Sequence, residues 1–371
     1  MVLLLSALAF VVLLTGLILI HECGHFFAAR AFKVEVEEFG FGLPPRARGL
    51  FTWKGTLFSL NWIPFGGFVR LKGEGAIDDS ERKTKGSFGA ASVFARMVVL
   101  VAGVAMNFLL ALVLLLIGFS VGRWIPTYLS LDDMKAAAAR GDIHLTLNVM
   151  IDGLTEDGTA KKAAVPTRSL LVAVDGAPVT DPAEVVQLQE GKRSVTYSLL
   201  VGETFTEERS VTVPVRDGKT GVVLRTVARD VSAGVRSFAS ALSLSVREIR
   251  VVTVQTVIGI SKLIHSVLRS ATVPEGITGI VGIAVMTYAS VQEGFLVYLR
   301  LVALLSLSLA ILNVLPFPAL DGGRMLFVLW EAVARRPVPR RLELAVNTGG
   351  FVFLLLLILL VTFYDVVRIF S

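Results

Sequence analysis

His21-Glu22-Cys23-Gly24-His25 closes an apolar run from Val2 to Ile20, in which only Ser6, Thr15 and Gly16 interrupt the larger apolar side chains and alanines. A run of that length has the reach of a membrane-crossing helix. On a helix His21 and His25 lie four residues apart, on one face and one turn apart. That is the placement two imidazole nitrogens need to hold one zinc ion, with Glu22 beside the metal's water as general base. Cys23 lies about 200° round the helix from His21 at 100° per residue, which excludes it as a ligand. Ionisable groups at membrane depth cost about 2.5–3.5 kcal/mol each on insertion scales, so a metal explains the cluster better than an accidental polar helix end.

Composition sets the class. Of 371 residues 54% are hydrophobic, and the mean hydropathy is +0.72, which excludes a soluble globular chain and points to an integral membrane protein with a soluble part. The first segment has no basic n-region and carries the metal motif at its end, so it reads as a retained helix and not as a cleaved signal peptide. The net charge of +6 sits mostly beside apolar segments. Orientation in a lipid bilayer accounts for it; no aromatic-basic stripe suggests nucleic acid. The single cysteine, Cys23, excludes an internal disulfide, and no long repeat or low-complexity tract is visible.

Outward from the motif, residues 1–27 form the first transmembrane helix. Residues 28–92 change character: short Gly- and Pro-bounded, aromatic-rich runs such as Thr56–Trp62 and Phe68–Leu71 read as a membrane-associated β-hairpin region, followed by a basic connector. Residues 93–121 form a second transmembrane helix, in which Asn107 reads as a helix–helix hydrogen-bonding residue. Residues 122–232 have a soluble protein's charge density, and strand-like segments at 145–151, 170–174, 194–201, 210–215 and 221–227 with a helix at 182–190 make a small α+β domain. Residues 233–292 begin with an amphipathic stripe through Val235, Phe238, Leu242, Val246 and Ile249. Arg236, Arg247, Arg250 and Lys262 interrupt it, which favours a helix along the membrane surface, with a docking helix for the soluble domain as the alternative. Residues 293–335 hold a third transmembrane helix opened at Asn313-Val314-Leu315-Pro316-Phe317-Pro318-Ala319-Leu320-Asp321-Gly322-Gly323, where two prolines and two glycines free backbone groups that need a polar setting. Residues 346–368 make the fourth span.

Arg and Lys concentrate in the connectors between spans one and two and between spans three and four, which places both on the cytoplasmic side and both termini and the soluble domain outside. His21, His25 and Asp321 then share one depth at the cytoplasmic ends of their helices. His144 and His265 fall across the membrane from them. A catalytic zinc keeps three protein ligands and an open position, so Asp321 is the third ligand, its alternative role being a helix-terminus cap. Glu22 with such a site gives metal-assisted hydrolysis.

These motifs resemble those of bacterial site-2 proteases, the intramembrane zinc metalloproteases. His21-Glu22-x-x-His25 matches the family's first-helix motif, and Asn313-x-x-Pro316-x-x-x-Leu320-Asp321-Gly322 matches the third-helix motif with its aspartate ligand. Phe39-Gly40-Phe41-Gly42 and Ile63-Pro64-Phe65-Gly66-Gly67-Phe68-Val69 resemble the hairpin region that holds substrate extended. Leu170–Val179 resembles a strand and turn of a PDZ domain, without the usual Gly-Asp before it. The family's Gly-Pro-x-x-Asn-Phe is here Gly103-Val104-Ala105-Met106-Asn107-Phe108, and its Gly-Pro-Val-Gly is Gly279-Ile280-Val281-Gly282; both lack the proline. The resemblance implies an α-helical membrane protein of the bacterial inner membrane with four transmembrane helices, a membrane-associated β-hairpin region and one extracytoplasmic PDZ-like α+β domain. It implies a zinc endopeptidase cutting single-pass transmembrane segments already trimmed by another protease, such as anti-sigma factors or remnant signal peptides. Glu22 is then the base, His21, His25 and Asp321 hold Zn2+, and Asn313, Pro316, Gly66, Gly67, Phe68 and Asn107 bind substrate. The rival readings are a membrane zincin acting on soluble or lipidated peptides and a non-catalytic PDZ membrane adaptor.

Overall fold

A computed structural model describes residues 2–370 except Gly75, Ile77, Glu203 and Ala271. The chain divides into two compact units, one of residues 1–122 with 236–371 and one of residues 123–235.

In the first unit the opening apolar run and the metal motif form one continuous 30-residue helix, α1 (Val2–Ala31). Lys33, at φ +60°, ends it, and the chain enters a long antiparallel pair, β1 (Val36–Trp53) and β2 (Thr56–Leu71). Its turn is Lys54-Gly55, both residues at positive φ, the geometry that suits a two-residue hairpin. Where several short strands are expected, two irregular ones fold back on themselves. Residues 36–41 are flanked on one side by 67–71, with Phe41 opposite Gly67 and Phe39 opposite Val69. On the other side lie 57–60, with Glu38 opposite Leu57 and Phe41 opposite Leu60. The segment Gly67–Leu71 is thus an outer strand of this small sheet. Phe26 anchors the sheet to α1: its ring meets Phe39, Phe58 and Trp53 at 5.6, 5.8 and 6.3 Å, in a cluster that also buries Ala29, Val36, Leu71 and Val99.

A single turn, α2 (Asp79–Arg82), precedes α3 (Val93–Ser120), which Ser92 caps through its side chain on the Ala95 N–H, 3.2 Å. After the second unit come α7 (Phe238–Ser270), α8 (Ile280–Glu293), α9 (Phe295–Val314), α10 (Asp321–Ala334) and α11 (Arg340–Phe370). α3 packs on α1, α9 and α7. The expected break is there: Leu315 turns extended and residues 315–320 loop back over the start of α10. Only glycine fits beneath that loop, since a Cβ at Gly322 would lie 2.0 Å from the Leu315 carbonyl oxygen and one at Gly323 2.2 Å from that of Phe317.

Five helices among the described residues are long and apolar enough to cross a membrane, where four are expected; the additional one is α7. Its charged residues leave a window of the required length and hydropathy, so length and composition alone do not separate it from the others.

The second unit is built of α4 (Leu131–Ala139), β3 (His144–Leu154), α5 (Thr159–Lys162), β4 (Ser169–Val174), β5 (Ala177–Pro178), α6 (Pro182–Gln189), β6 (Ser194–Val201), β7 (Glu207–Pro214) and β8 (Val222–Ser232). The sheet runs β7-β6-β4-β3-β8, with β5 added to β4. Alternation drives it: Val195, Tyr197 and Leu199 of β6 turn inward onto Val149, Ile151, Leu171 and Val185. α6 carries a complete capping box from Asp181 and Glu184.

In the first unit the sheet is pinned by Glu38, 2% exposed, which accepts from Arg46 Nε and Nη2 at 2.8 and 2.6 Å and pairs with Arg70. Burial works to raise its carboxyl, but hydrogen bonds from Arg46 and Ser59 and the charge of Arg70 outweigh that and hold it below the usual carboxylate range. The pin is therefore complete above that range and lost only as pH falls through the lowered value. Glu38→Ala is expected to loosen the sheet by about 1–3 kcal/mol, read as faster amide exchange across residues 36–71 at neutral pH. Unchanged exchange would remove Glu38 as the pin.

Candidate metal centre

α1 and the first residue of α10 meet at one point. His21 Nε2 lies 2.9 Å from Asp321 Oδ2, and His25 Nε2 lies 3.3 Å from the same oxygen. The two Nε2 atoms are 3.1 Å apart, and all three residues are under a tenth exposed. Zinc bonds of about 2.0–2.1 Å at tetrahedral angles need ligand atoms about 3.3 Å apart, so the triangle fits that ion. The donor chemistry agrees. Asp321 Oδ2 is buried and has no hydrogen-bond partner, and two imidazoles aim the same ring nitrogen at it, a cluster of lone pairs that a cation resolves. Two nitrogens and one oxygen make a three-ligand set with a fourth position left for water or substrate.

The surroundings fix the ligands. His25 Nδ1–H donates to the Val99 carbonyl of α3 at 2.8 Å, which selects the tautomer that leaves Nε2 free to bind. That contact needs α1 and α3 to cross closely, and two glycines permit it. A Cβ at Gly24 would fall 2.2 Å from the Ala102 carbonyl oxygen, and one at Gly103 would fall 2.4 Å from His25 Nε2 and 2.8 Å from His21 Cε1.

Beside the triad is a cavity of about 300 Å³ lined by Glu22, Phe68, Val69, Leu309, Asn313 and Arg324 as well as the three ligands. The Glu22 carboxylate faces the Val69 backbone N–H on the outer strand of the sheet. An acidic side chain next to a three-ligand metal position, with an extended strand across the same cavity, can take a proton from water while a peptide lies alongside.

The cavity thus brings together His21, Glu22, His25, Asp321, Asn313 and Phe68. Gly66, Gly67, Pro316 and Asn107 are not among the residues lining it. Gly66, at φ +83°, and Gly67 pack toward α1, where a Cβ on Gly67 would meet Leu19 Cδ2 at 2.7 Å. Pro316 lies in the loop between α9 and α10. Asn107 is wholly buried, its side-chain amide has no partner, and its carbonyl accepts the Ser306 hydroxyl of α9 at 2.8 Å. Sequence reasoning misses the Val99 carbonyl, which leaves no side-chain signal, and the packing role of Gly103. It also misses Arg324, whose i+3 spacing from Asp321 puts it on the same helix face.

The sequence profile described as Peptidase family M50 matches residues 9–357. A protein of Fusobacterium nucleatum whose assigned name is zinc metalloprotease is 29% identical over 366 residues, covering 97% of this chain and 98% of the relative. Similarly named proteins of Campylobacter jejuni and Clostridium perfringens are 30% and 28% identical, over 98% and 95% of this chain and 93% and 96% of theirs.

His21→Ala and Asp321→Ala are expected to lose most bound zinc, and Gly103→Leu to do so without touching a ligand, because its side chain occupies the space of the His25 ring. Glu22→Gln retains about one zinc per chain. Metal analysis of the purified variants checks each; full zinc in Gly103→Leu would show that the α1–α3 crossing does not position the ligands.

Proposed function

The chain belongs to peptidase family M50 and is a membrane zinc metalloprotease, and we propose that it cuts peptide bonds within transmembrane segments of single-pass proteins. The observation that carries this reading is one cavity lined by the three ligands, by Glu22 and by Phe68, Val69 and Leu71 of the outer strand. A transmembrane helix hides its amides in i to i−4 hydrogen bonds, so hydrolysis requires a locally extended substrate. An outer strand can accept such a segment edge to edge, substrate carbonyls taking the place of the carboxylates that face its Val69 and Leu71 amides. Zinc held by His21, His25 and Asp321 supplies the Lewis acid of the reaction. Glu22 takes the proton from the attacking water and returns it to the departing amine. Asn313 lies where it can donate to the substrate backbone, and Phe68 flanks the strand. Substrates trimmed by another protease, such as anti-sigma factors or remnant signal peptides, fit a site reached from within the bilayer.

The membrane arrangement follows the same reading: four spans in the bacterial inner membrane, with both termini and a PDZ-like domain outside. Two contacts support it. α7 begins beside the far end of α3, where the Arg236 N–H reaches the Ser120 carbonyl at 3.4 Å. Just past the other end of α7, Arg368 in the last turn of α11 donates to the Val273, Pro274 and Ile277 carbonyls, each at 2.9 Å. Arg340 and Arg368 stand roughly 42 Å apart along α11 at 1.5 Å per residue, and Arg340 binds near the metal through the Glu74 carbonyl. Both ends of α7 therefore approach helix ends remote from the zinc ligands, which suits a helix along the outer surface and not a fifth crossing.

Two measurements test the reading. The enzyme, with Glu22→Gln as control, is expected to cut Gly-containing transmembrane segments at least tenfold faster than all-Leu ones, which unwind reluctantly, and to leave soluble peptides uncut. Val69→Pro, which removes an amide of the outer strand, is expected to abolish most turnover with zinc retained. Equal cleavage of all-Leu segments by the Val69→Pro enzyme would sink the extended-substrate reading, and rapid cleavage of soluble peptides would favour a zincin of broader reach. Cysteines placed at the exposed Lys83 and Arg341 are expected to label only from the cytoplasm and one at Asp217 only from outside.

A further inference from the structure

Glu74 stands three residues beyond the outer strand, and its carboxylate reaches two ways. Oε2 accepts the Leu71 N–H at 3.2 Å, and Oε1 pairs with Arg324 Nη2. Its backbone carbonyl accepts Arg340 Nη2–H at 2.7 Å, so the first residue of α11 closes over the same corner. Arg324 lies one turn after Asp321 on α10, faces the cavity with the ligands, and holds its guanidinium 5.5 Å from the Phe88 ring centre. A second cavity, of about 280 Å³, lies on the other side of the pair, and Arg324 and Glu74 line both. The strand Gly67–Leu71 thus meets a carboxylate at two of its amides: Val69 faces Glu22 of α1, and Leu71 is held through Glu74 by the helix that opens with Asp321.

We propose that the Arg324–Glu74 ion pair is a positioning clamp for the reaction, tying the helix that carries the third zinc ligand to the strand that receives substrate. The inference rests on the reading that this strand holds the substrate extended. Strand and ligand helix come from parts of the chain some 250 residues apart, and their separation sets where the scissile carbonyl falls relative to the metal. A charge-assisted bond in a partly enclosed cavity is short and directional. Arg324 and Glu74 side chains are 28% and 25% exposed, so neither is a core side chain. An ångström of displacement at a reacting centre costs about 100-fold in rate.

The test uses the full-length, zinc-loaded enzyme and a single-pass substrate whose cut site is mapped by mass spectrometry. Glu74→Gln keeps an oxygen for the Leu71 N–H and loses the charge; Arg324→Met keeps most of the stem. Each is expected to retain about one zinc per chain and an unchanged KM, to lower kcat about 10- to 100-fold, and to spread cleavage onto neighbouring bonds. The double variant is expected to be no slower than the slower single one, since both lose the same contact. Arg324→Lys is expected to recover part of the rate and the single cut site. Full-rate cleavage at one bond by Glu74→Gln, multiplicative losses in the double variant, or loss of zinc from either single variant would each overturn the clamp. Val69→Pro separates the two levels: if it cuts at full rate the extended-strand reading fails, whereas an inactive Val69→Pro beside an unaffected Glu74→Gln removes the clamp alone.

Discussion

Three ligand atoms within 3.3 Å of one another, inside an apolar helix bundle, are the arrangement to which the surrounding structure is fitted. Two imidazoles and a carboxylate packed that closely and that deep form a donor set suited to sharing one cation. Each neighbouring irregularity serves the convergence. α1 and α3 cross at Gly24 and Gly103, where no side chain could stand. The α9–α10 helix pair is broken so that Asp321 can be the first residue of a new helix and not a mid-helix residue facing lipid. Gly322 and Gly323 let the broken segment fold back over that start.

Two other buried charges in the bundle are likewise met by polar partners. Arg96 of α3 makes two hydrogen bonds to Glu331 of α10, at 2.9 and 2.6 Å, and Asp365 of α11 accepts the N–H groups of Gly279 and Gly282 at 2.8 Å each. The Asp365 contacts explain how Gly279-Ile280-Val281-Gly282 does without a proline. A buried carboxylate satisfies the first turn of α8 directly, and a Cβ at either glycine would crowd that oxygen, at 3.1 and 3.3 Å. In the same way the missing proline before Asn107 leaves α3 unbroken from Val93 to Ser120, and closeness to α1 is obtained from Gly103 together with Gly24.

Periodicity and punctuation made much of this legible. The i,i+4 histidines, the Pro/Gly break before Asp321, and the alternation of β6 and its neighbours each carry a local signal, and the corresponding elements lie within a few residues of where that signal puts them. Other features were not legible because they are made by contacts between distant segments. The hairpin region reads as separate short strands because its folding back, with residues 36–41 between 57–60 and 67–71, depends on Phe26 and Glu38 and not on local pattern. The Val99 carbonyl that orients His25 is a backbone group on another helix. α7 has the length and hydropathy of a span, and only its end contacts, at Ser120 and Arg368, bear on whether it crosses.

The outer strand ties these observations to chemistry. A strand edge facing a cavity is ordinarily a liability, since its unpaired amides invite association with any extended chain. Here Val69 and Leu71 are covered by two carboxylates, Glu22 and Glu74. Both are interactions a substrate backbone can replace, because a peptide carbonyl is as good an acceptor for the amide as a side chain is, and the displaced carboxylates have other partners at hand. Glu74 keeps Arg324; Glu22 keeps its place beside the ligand triad, where a free carboxylate is what proton removal needs. On the proposed reading, an edge closed in this way would accept an extended chain only by exchanging contacts, which would favour segments already able to leave the helix over those that unwind at a cost.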